Sequence, residues 1–140
     1  GWMHNRVRMI VASFLVKHLR IHWMEGEKHF KNCLVDYNEA SNVAQWQWVA
    51  GCGADAAPYF RIFNPILQGE KFDKEGIYTK KWVPELKNMP NKFLYKPWEL
   101  EKKYQEQIKV VIGRDYPEPI VDHAKARNAA LDAFQTIKKN

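Results

Sequence analysis

Apolar side chains recur at helical spacing from the start of the chain, and this pattern limits the fold more than any other feature. The residues that carry it are Val7, Ile10, Val11, Phe14, Leu15 and Leu19. Their spacing predicts one helix from about Met3 to Trp23, with Gly26 where a helix would stop. No segment shows sustained strand alternation, and the apolar run at 110–112 is too short to form a sheet. We therefore predict an all-α fold.

Several shorter helices and one long loop complete the predicted architecture. The helices are predicted at residues 27–34, 41–50, 74–82, 99–107 and 123–137. Asp73 and Asp122 precede two of them as candidate N-caps, and the charged run 99–107 is typical of a solvated helix. Residues 57–72, punctuated by prolines and a glycine, are predicted to be an ordered loop. The length of 140 residues is that of one domain.

The net charge and the cysteine content indicate which classes of partner and which cellular compartment to expect. The net charge of +6 favours an anionic partner such as nucleic acid or a membrane surface. Cys33 and Cys52 lack a C-x-x-C pattern and are typical of reduced thiols in a cytoplasmic protein, although a disulfide between them stays open. No stretch reaches the ~20 apolar residues of a membrane span, and the first residues do not resemble a signal peptide.

Polar residues open the first predicted helix. Trp2, Asn5 and Met9 share one face, and Arg6 and Arg8 flank it. Arginines in this position suit pairing with phosphates or carboxylates. The alternative is a solvated first turn.

Tryptophans and basic residues form two further clusters. Asn42 and Trp46 share a helix face, whereas Trp48 lies about 200° further round, so one ring can face an internal cofactor and the other an external partner. The alternative is two packing tryptophans. Around Arg61, basic and aromatic residues alternate over 59–72 and suit a nucleic-acid face, unless this is simply a packed loop.

Other catalytic patterns are missing from the sequence. His18 and His22 stand at i and i+4 without a third candidate ligand, so no metal site is predicted. There is no glycine-rich phosphate loop and no pair of catalytic carboxylates. The residues alone therefore indicate a basic, aromatic-rich helical domain suited to nucleic acid.

Longer strings of the sequence carry more specific information. Residues 1–17 read GWMHNRVRMIVASFLVK, and further strings stand at 46–48 (WQW), 55–65, 68–73 and 115–123. In content and order they resemble the class I cyclobutane-pyrimidine-dimer DNA photolyases, over essentially the whole chain. The resemblance implies that residues 1–140 are the C-terminal part of the helical FAD-binding domain, without the family's N-terminal antenna domain and upstream FAD-binding helices.

The resemblance also implies an activity, namely light-driven repair by a carbon–carbon lyase. Photolyases use excited, reduced FAD to give an electron to a pyrimidine dimer flipped out of DNA. The implied partner is DNA containing such dimers. The parent enzyme is expected to be monomeric and bacterial-type, and to carry its antenna chromophore outside this chain. Alternatives are a cryptochrome-type photosensor, which in plants carries Asp at the position of Asn42, and a stand-alone helical DNA-binding module.

The resemblance assigns roles to individual positions. Cofactor-binding roles fall on Trp2, Asn5, Arg8, Asp36, Tyr37, Asn38 and Asn42. Asp36 is expected to pair with Arg8, and Asn42 to sit beside the isoalloxazine N5 as a catalytic residue. Trp46 and Trp23 are the implied proximal and middle members of an electron-transfer chain. Nucleic-acid-binding roles fall on Asn5, Arg6, Met9, Trp48, Arg61 and Gln68.

The isolated chain is expected to differ from such a parent. Its first helix begins almost at residue 1 and carries apolar residues that need cover, so we expect upstream sequence against this face. The alternative is that the chain folds or dimerises around it. Because part of the cofactor wall is missing, we expect the chain alone to bind FAD weakly or not at all and not to repair DNA.

Overall fold

A computed structural model describes residues 1–54, 58 and 61–138 of the chain. The regular elements of this part are helical, apart from one isolated bridge between Ile112 and Tyr116, which confirms the all-α prediction. Its α-helices are α1 (Asn5–Ser13), α2 (Trp23–Cys33), α3 (Glu39–Ala50), α4 (Pro65–Phe72), α5 (Ile77–Trp82), α6 (Lys102–Gln107) and α7 (His123–Lys138). A π-helical turn covers Phe14–His18, and short 3-10 turns cover Pro84–Leu86, Asn91–Phe93 and Pro97–Glu99.

The chain divides into two compact units, each with its own core. The first unit comprises Gly1–Phe63 and Val121–Asn140, and the second comprises Asn64–Ile120. Buried apolar residues of the first unit are Ala12, Phe30, Trp46 and Val49. Those of the second unit are Leu86, Met89, Leu94, Leu100 and Val110.

The single helix predicted from Met3 to Trp23 is wrong, because the chain changes its winding and then breaks. After Ser13 the helix widens into the π-turn, where the Leu19 amide donates to the Phe14 carbonyl at 3.0 Å. Arg20 then takes a left-handed conformation with φ of 53°, which a non-glycine residue seldom adopts. The apolar spacing continues through this break, so periodicity alone does not reveal it.

Gly26 does not stop a helix, and this prediction is also wrong. It lies buried near the start of α2, as the fourth of its 11 residues, where a Cβ would meet the ring of Trp46. The missing side chain makes room for that ring, so the glycine serves packing between α2 and α3. Glycine inside a helix is tolerated when close approach of a neighbour requires it.

Both ends of α3 carry the signals of a capped helix. The Asn38 Oδ1 accepts from the Ser41 amide at 3.0 Å, so the helix begins at Glu39, slightly before the predicted start. Gly51, with φ of 78°, ends it in the left-handed conformation, as predicted.

Part of the predicted loop 57–72 is helical, so this prediction is wrong for α4. Asn64 caps the helix by accepting from the amides of Ile66 and Leu67. Pro65 occupies the first turn, where its fixed φ and missing N–H favour a helix. Proline therefore begins an element here that we had expected it to break. Residues 55–57, 59 and 60 of the predicted loop and basic–aromatic cluster lie outside the described residues.

Asp73 organises the start of α5 in the second unit. Its carboxylate accepts from the backbone amides of Tyr78 and Thr79, from the Thr79 hydroxyl at 2.7 Å and from the Tyr95 hydroxyl at 2.8 Å. Burial acts in the opposite direction, yet these hydrogen bonds lower the pKa of Asp73. The Asp73 carboxylate thus accepts from amides of the first turn of α5, but the N-cap residue is Gly76 and the helix begins at Ile77, so the N-cap predicted at Asp73 and the helix start predicted at 74 are wrong.

The charged run 99–107 forms a helix only from Lys102, and one of its polar side chains is buried. The Gln105 amide donates to the Leu100 carbonyl and accepts from the Ile112 amide, which ties α6 to the segment after it. Asp122 caps α7 through the Lys125 amide at 2.9 Å, as predicted.

Cys33 and Cys52 are exposed free thiols. Within the described ranges, no helix is long and apolar enough to cross a membrane.

Candidate functional site

An open cavity of about 190 Å³ lies in the first unit, bounded by α1, α2, α3 and the loop that joins α2 to α3. Predicted cofactor, electron-transfer or nucleic-acid residues that line it are Asn5, Arg8, Met9, Asp36, Tyr37, Asn38, Asn42 and Trp46. The fold thus gathers side chains from three separate parts of the sequence into one site.

An ion pair forms one rim of the cavity. The Arg8 Nη2 donates to both oxygens of Asp36, at 3.0 and 2.9 Å, which is the pairing that the resemblance implied. The Arg8 Nε donates to the Met3 carbonyl at 2.6 Å, so the guanidinium is held from two sides. The side chain of Asp36 is 45% exposed, and such a pair contributes little to stability. The pair places one positive and one negative charge in the cavity lining.

Asn42 lies nearly buried on α3 with its amide oriented by α2. Its Nδ2 donates to the backbone carbonyl of Glu27 at 3.1 Å and to the Glu27 carboxylate at 3.2 Å. Both amide hydrogens are thereby used, which leaves the Asn42 oxygen as the acceptor for a ligand in the cavity that it lines. Glu27 was not predicted, since nothing in the sequence relates it to Asn42.

Trp46 provides an aromatic wall. Its side chain is 2% exposed and meets Phe30 edge to face, with ring centroids 5.0 Å apart. Gly26 lies against its six-membered ring. Trp23, the first residue of α2, is half-buried and packs against the same apolar cluster as Trp46.

Two loop residues beside Asp36 have polar groups in the cavity wall. The Asn38 oxygen is already used as the cap of α3, so its NH₂ group is what remains for a ligand. The Tyr37 hydroxyl is buried, and the Glu27 carboxylate lies near it. Burial, followed by the negative charges of Glu39 and Glu27, raises the pKa of the Tyr37 phenol. Tyr37 therefore remains a neutral donor at ordinary pH.

The other predicted residues lie outside the cavity lining. Trp2 is 61% exposed. Trp48 is half-buried and packs against the same apolar cluster as Trp46. Arg6 and Arg61 are exposed in the first unit, and Gln68 lies on α4 of the second.

Several cavity residues were missed by the sequence analysis. They are Ala12, Phe30, Leu34, Ser41, Gln45 and Val49. The signal for some of them was present, because Ala12 stands one turn after Arg8, and Gln45 and Val49 stand at i+3 and i+7 from Asn42. Small and apolar residues on a face that carries functional polar groups are candidates for a site wall.

The histidines take a different arrangement from the metal pair that we considered. The His18 Nε2 lies 2.7 Å from the His123 Nδ1, which joins the π-turn to α7. Burial and the charge of His123 lower the pKa of His18. Among the described residues, no group of three or more His, Cys, Asp or Glu side chains is placed to hold a metal ion.

An apolar cavity with an aromatic wall, a few fixed amide groups and one ion pair is typical of a site for a planar organic cofactor. The molecule therefore belongs to the class of helical cofactor-binding domains. The family model described as the FAD binding domain of DNA photolyase matches residues 1–136, and the chain belongs to this family.

Individual relatives agree with this membership. Deoxyribodipyrimidine photo-lyase of Agrobacterium fabrum is 60% identical over 139 residues, which are 99% of this chain and 29% of the relative. The Escherichia coli enzyme of the same name is 52% identical, over 99% of this chain and 28% of its own length. The chain thus spans less than a third of these curated relatives.

Two solved structures share the fold. A bacterial class III photolyase from Agrobacterium tumefaciens superposes with a TM-score of 0.94 at 59% identity, over 100% of this chain and 29% of that one. A Synechocystis cryptochrome superposes with a TM-score of 0.87 at 42% identity, over 94% of this chain and 27% of the cryptochrome chain. The resemblance to photolyases is confirmed, whereas the assignment to class I stays a prediction beside a class III relative.

Proposed function

We propose that this chain is the C-terminal part of the catalytic domain of a photolyase that repairs cyclobutane pyrimidine dimers in DNA. In this proposal the antenna domain and the upstream FAD-binding helices lie outside the 140 residues. The observation that carries it is the cavity of the first unit, which gathers most of the side chains expected around the cofactor. Bacterial relatives named deoxyribodipyrimidine photo-lyase support a role in the bacterial cytoplasm, on chromosomal DNA.

The residues present fit the isoalloxazine part of FAD. Trp46 and Phe30 offer apolar surface for a flat ring, while Asn42 and the Arg8–Asp36 pair offer polar groups at its edge. A whole dinucleotide is larger than the cavity, because drug-sized ligands occupy roughly 300 Å³ or more. The chain therefore supplies one wall of the site.

Reduced FAD supplies the photoexcited electron that splits the dimer. The chain's own residues orient that chemistry. Asn42 presents its amide oxygen as an acceptor in the position that the resemblance gives to N5, and Glu27 prevents the amide from turning over. Trp46 and Trp23 share one apolar cluster, which suits them to carry an electron toward the cavity.

Nucleic-acid binding is the second half of the proposal. Arg6 and Arg61 are exposed and the net charge is +6, which favours phosphate contacts. Asn5 and Met9 line the cavity, where a flipped base would meet the cofactor. The proposed nucleic-acid-binding residues also include Trp48 and Gln68.

A chimaera tests the proposal directly. The matching segment of the Agrobacterium fabrum enzyme is replaced by this chain, and bound flavin and light-dependent dimer repair are measured. Asn42→Ala is expected to lose repair, whereas Asn32→Ala, an exposed change on α2, is expected to retain it. A folded chimaera that binds flavin and dimer DNA but repairs nothing would contradict the enzymatic role.

The chain by itself gives a complementary measurement. Titration with FAD is expected to show weak or no quenching of flavin fluorescence, since the site lacks its remaining walls. Tight, stoichiometric binding that Asn42→Ala abolishes would instead mean that this half-site is sufficient for recognition.

A cryptochrome-type photoreceptor is the second candidate. The Synechocystis cryptochrome shares the fold at 42% identity, so flavin binding without repair is compatible with this architecture. The repair assay separates the two, because a photoreceptor keeps its flavin photochemistry and leaves the dimers intact.

A further inference from the structure

The π-turn buries a lysine that the cofactor site does not use. Lys17 is 2% exposed, and its Nζ donates to the backbone carbonyl of Arg61 at 2.6 Å. Burial and the positive charge of Arg61 lower the pKa of the Lys17 ammonium from 10.5 to about 8, so it stays largely charged at neutral pH. A buried ammonium is unfavourable unless a specific hydrogen bond offsets it. An apolar side chain of similar length would pack here without that penalty.

A second polar contact fixes the same backbone segment. Ser13 is 1% exposed, and its hydroxyl accepts from the Phe63 amide at 3.3 Å. Ser13 and Lys17 stand four residues apart, one on each side of the junction where α1 passes into the π-turn. Their partners, Arg61 and Phe63, are two residues apart. One helix face thus holds both ends of a three-residue strap, which we define as residues 61–63.

The strap carries an exposed cation. The Arg61 side chain is exposed, while its own carbonyl is tied to a nearly inaccessible ammonium. When the backbone that carries a long side chain is already fixed, less conformational entropy is lost as that side chain binds a phosphate. Hydrogen bonds from a charged donor are about twice as strong as neutral ones, which suits lysine to this task.

We infer that Lys17 and Ser13 are positioning residues that hold the 61–63 strap and thereby aim Arg61 at a phosphate of bound DNA. This inference rests on the proposed nucleic-acid role of Arg61. Neither positioning residue touches the DNA, since both are buried. Their effect on binding passes through the backbone of the strap.

The strap itself is tested by limited trypsin digestion of the chain, without DNA. Trypsin cuts after Arg61, at the carbonyl that Lys17 holds. Loss of a charge-assisted hydrogen bond in Lys17→Met is expected to raise cleavage at 61–62 about tenfold, relative to cleavage after Lys28, an exposed lysine on α2 of the same unit. Ser13→Ala is expected to raise it less, and Lys31→Met, an exposed lysine on α2, to leave it unchanged.

Unchanged cleavage at 61–62 in both Lys17→Met and Ser13→Ala would overturn the inference. If Lys17→Met does not fold, Ser13→Ala carries the test, because it removes one hydroxyl and leaves the ammonium in place. A rise at both 61–62 and the Lys28 site would report unfolding of the whole first unit, and it would also count against a local strap.

The salt dependence of binding to a DNA duplex that contains a pyrimidine dimer tests whether Arg61 contacts a phosphate. Arg61→Ala is expected to lower the slope of log affinity against log salt by about 0.9, the value for one phosphate contact. Lys17→Met is expected to lower it equally, although the residue is buried. The double variant is expected to show no further loss, since both changes remove one contact.

The outcomes separate the inference from the proposed function. If the unsubstituted chain has no affinity for DNA, or Arg61→Ala leaves the slope unchanged, the nucleic-acid role of Arg61 fails and the positioning role fails with it. If Arg61→Ala lowers the slope and Lys17→Met does not, the DNA role stands and only the positioning inference is wrong.

Discussion

Replacing Gly26 by alanine tests the packing that places Trp46 in the cavity wall. A Cβ on Gly26 would lie within 2.6 Å of the Trp46 ring atoms Cη2, Cζ3 and Cζ2, whereas ordinary contacts begin at 3.4 Å. Because the nearest ring atom, Cη2, would lie 2.1 Å from the new Cβ, it must retreat by at least 1.3 Å to reach ordinary contact. Trp46 is 2% exposed and abuts Phe30, so the free space for this movement is the cavity that it lines.

The magnitude follows from two opposing effects. Alanine is favoured over glycine inside a helix by about 1 kcal/mol, because the unfolded backbone loses less freedom. Overpacking a close-packed core costs about 1 to 3 kcal/mol, and this site stands at the upper end since the contact is with a rigid ring. We expect Gly26→Ala to lower the free energy of unfolding by about 1 to 2 kcal/mol.

Urea denaturation followed by circular dichroism measures this change. Asn32→Ala is the matched control, because Asn32 is exposed on the same helix and should gain about 0.5 kcal/mol from propensity alone. In the chimaera, Gly26→Ala is expected also to weaken flavin binding, since the displaced ring enters the cavity. A variant more stable than the original, with unchanged flavin binding, would refute the reasoning.

Three further predictions concern charge. Between pH 8 and 10.5 the unfolded chain keeps the Lys17 proton that the folded chain has lost, so the free energy of unfolding should rise with pH by up to about 3 kcal/mol relative to Lys17→Met. Urea titrations of both proteins at roughly pH 8, 9 and 10 measure this rise. A difference in unfolding free energy that does not change with pH would contradict it. Asp73→Asn should destabilise by about 1 to 3 kcal/mol at pH 7. Because the pKa of Asp73 is lowered in the folded chain, the stability that the original chain has over Asp73→Asn should be lost only as the pH falls below 3.8. Thermal melts of both proteins over a range of pH measure this difference, and its loss well above pH 3.8 would contradict the prediction. Asp36→Asn should change the free energy of unfolding by at most about 1 kcal/mol and yet weaken flavin binding in the chimaera. A variant that binds flavin as tightly as the original would argue against an orienting role for the ion pair of Asp36 with Arg8.

Local signals predicted the helical class and several helix ends. Asp122 and Gly51 act at the positions where capping chemistry placed them, because a cap depends on residues within one turn. The same signals misled at Gly26 and Pro65. A glycine that stops a helix and a glycine that admits a neighbouring ring look alike in sequence, and so do a proline that breaks a helix and one that begins it.

Most polar residues of the candidate site were predicted, together with Trp46, whereas Ser41, Gln45 and most apolar wall residues were missed. Arg8, Asp36 and Asn42 came from the resemblance, and the structure brings them to one cavity. Glu27 was missed, although it orients Asn42, because its contact joins residues on two different helices. Nothing in local spacing marks such a partner.

The sequence by itself determined an all-α chain, the photolyase family, and the chemical identity of the groups expected at the candidate site. Helical periodicity and capping act over a few residues, so these properties can be read without knowing the fold. Tertiary structure alone decided which distant groups meet: Lys17 with the Arg61 carbonyl, and His18 with His123. These contacts join residues far apart in the chain, and they form only where close packing of helices places one side chain within reach of another.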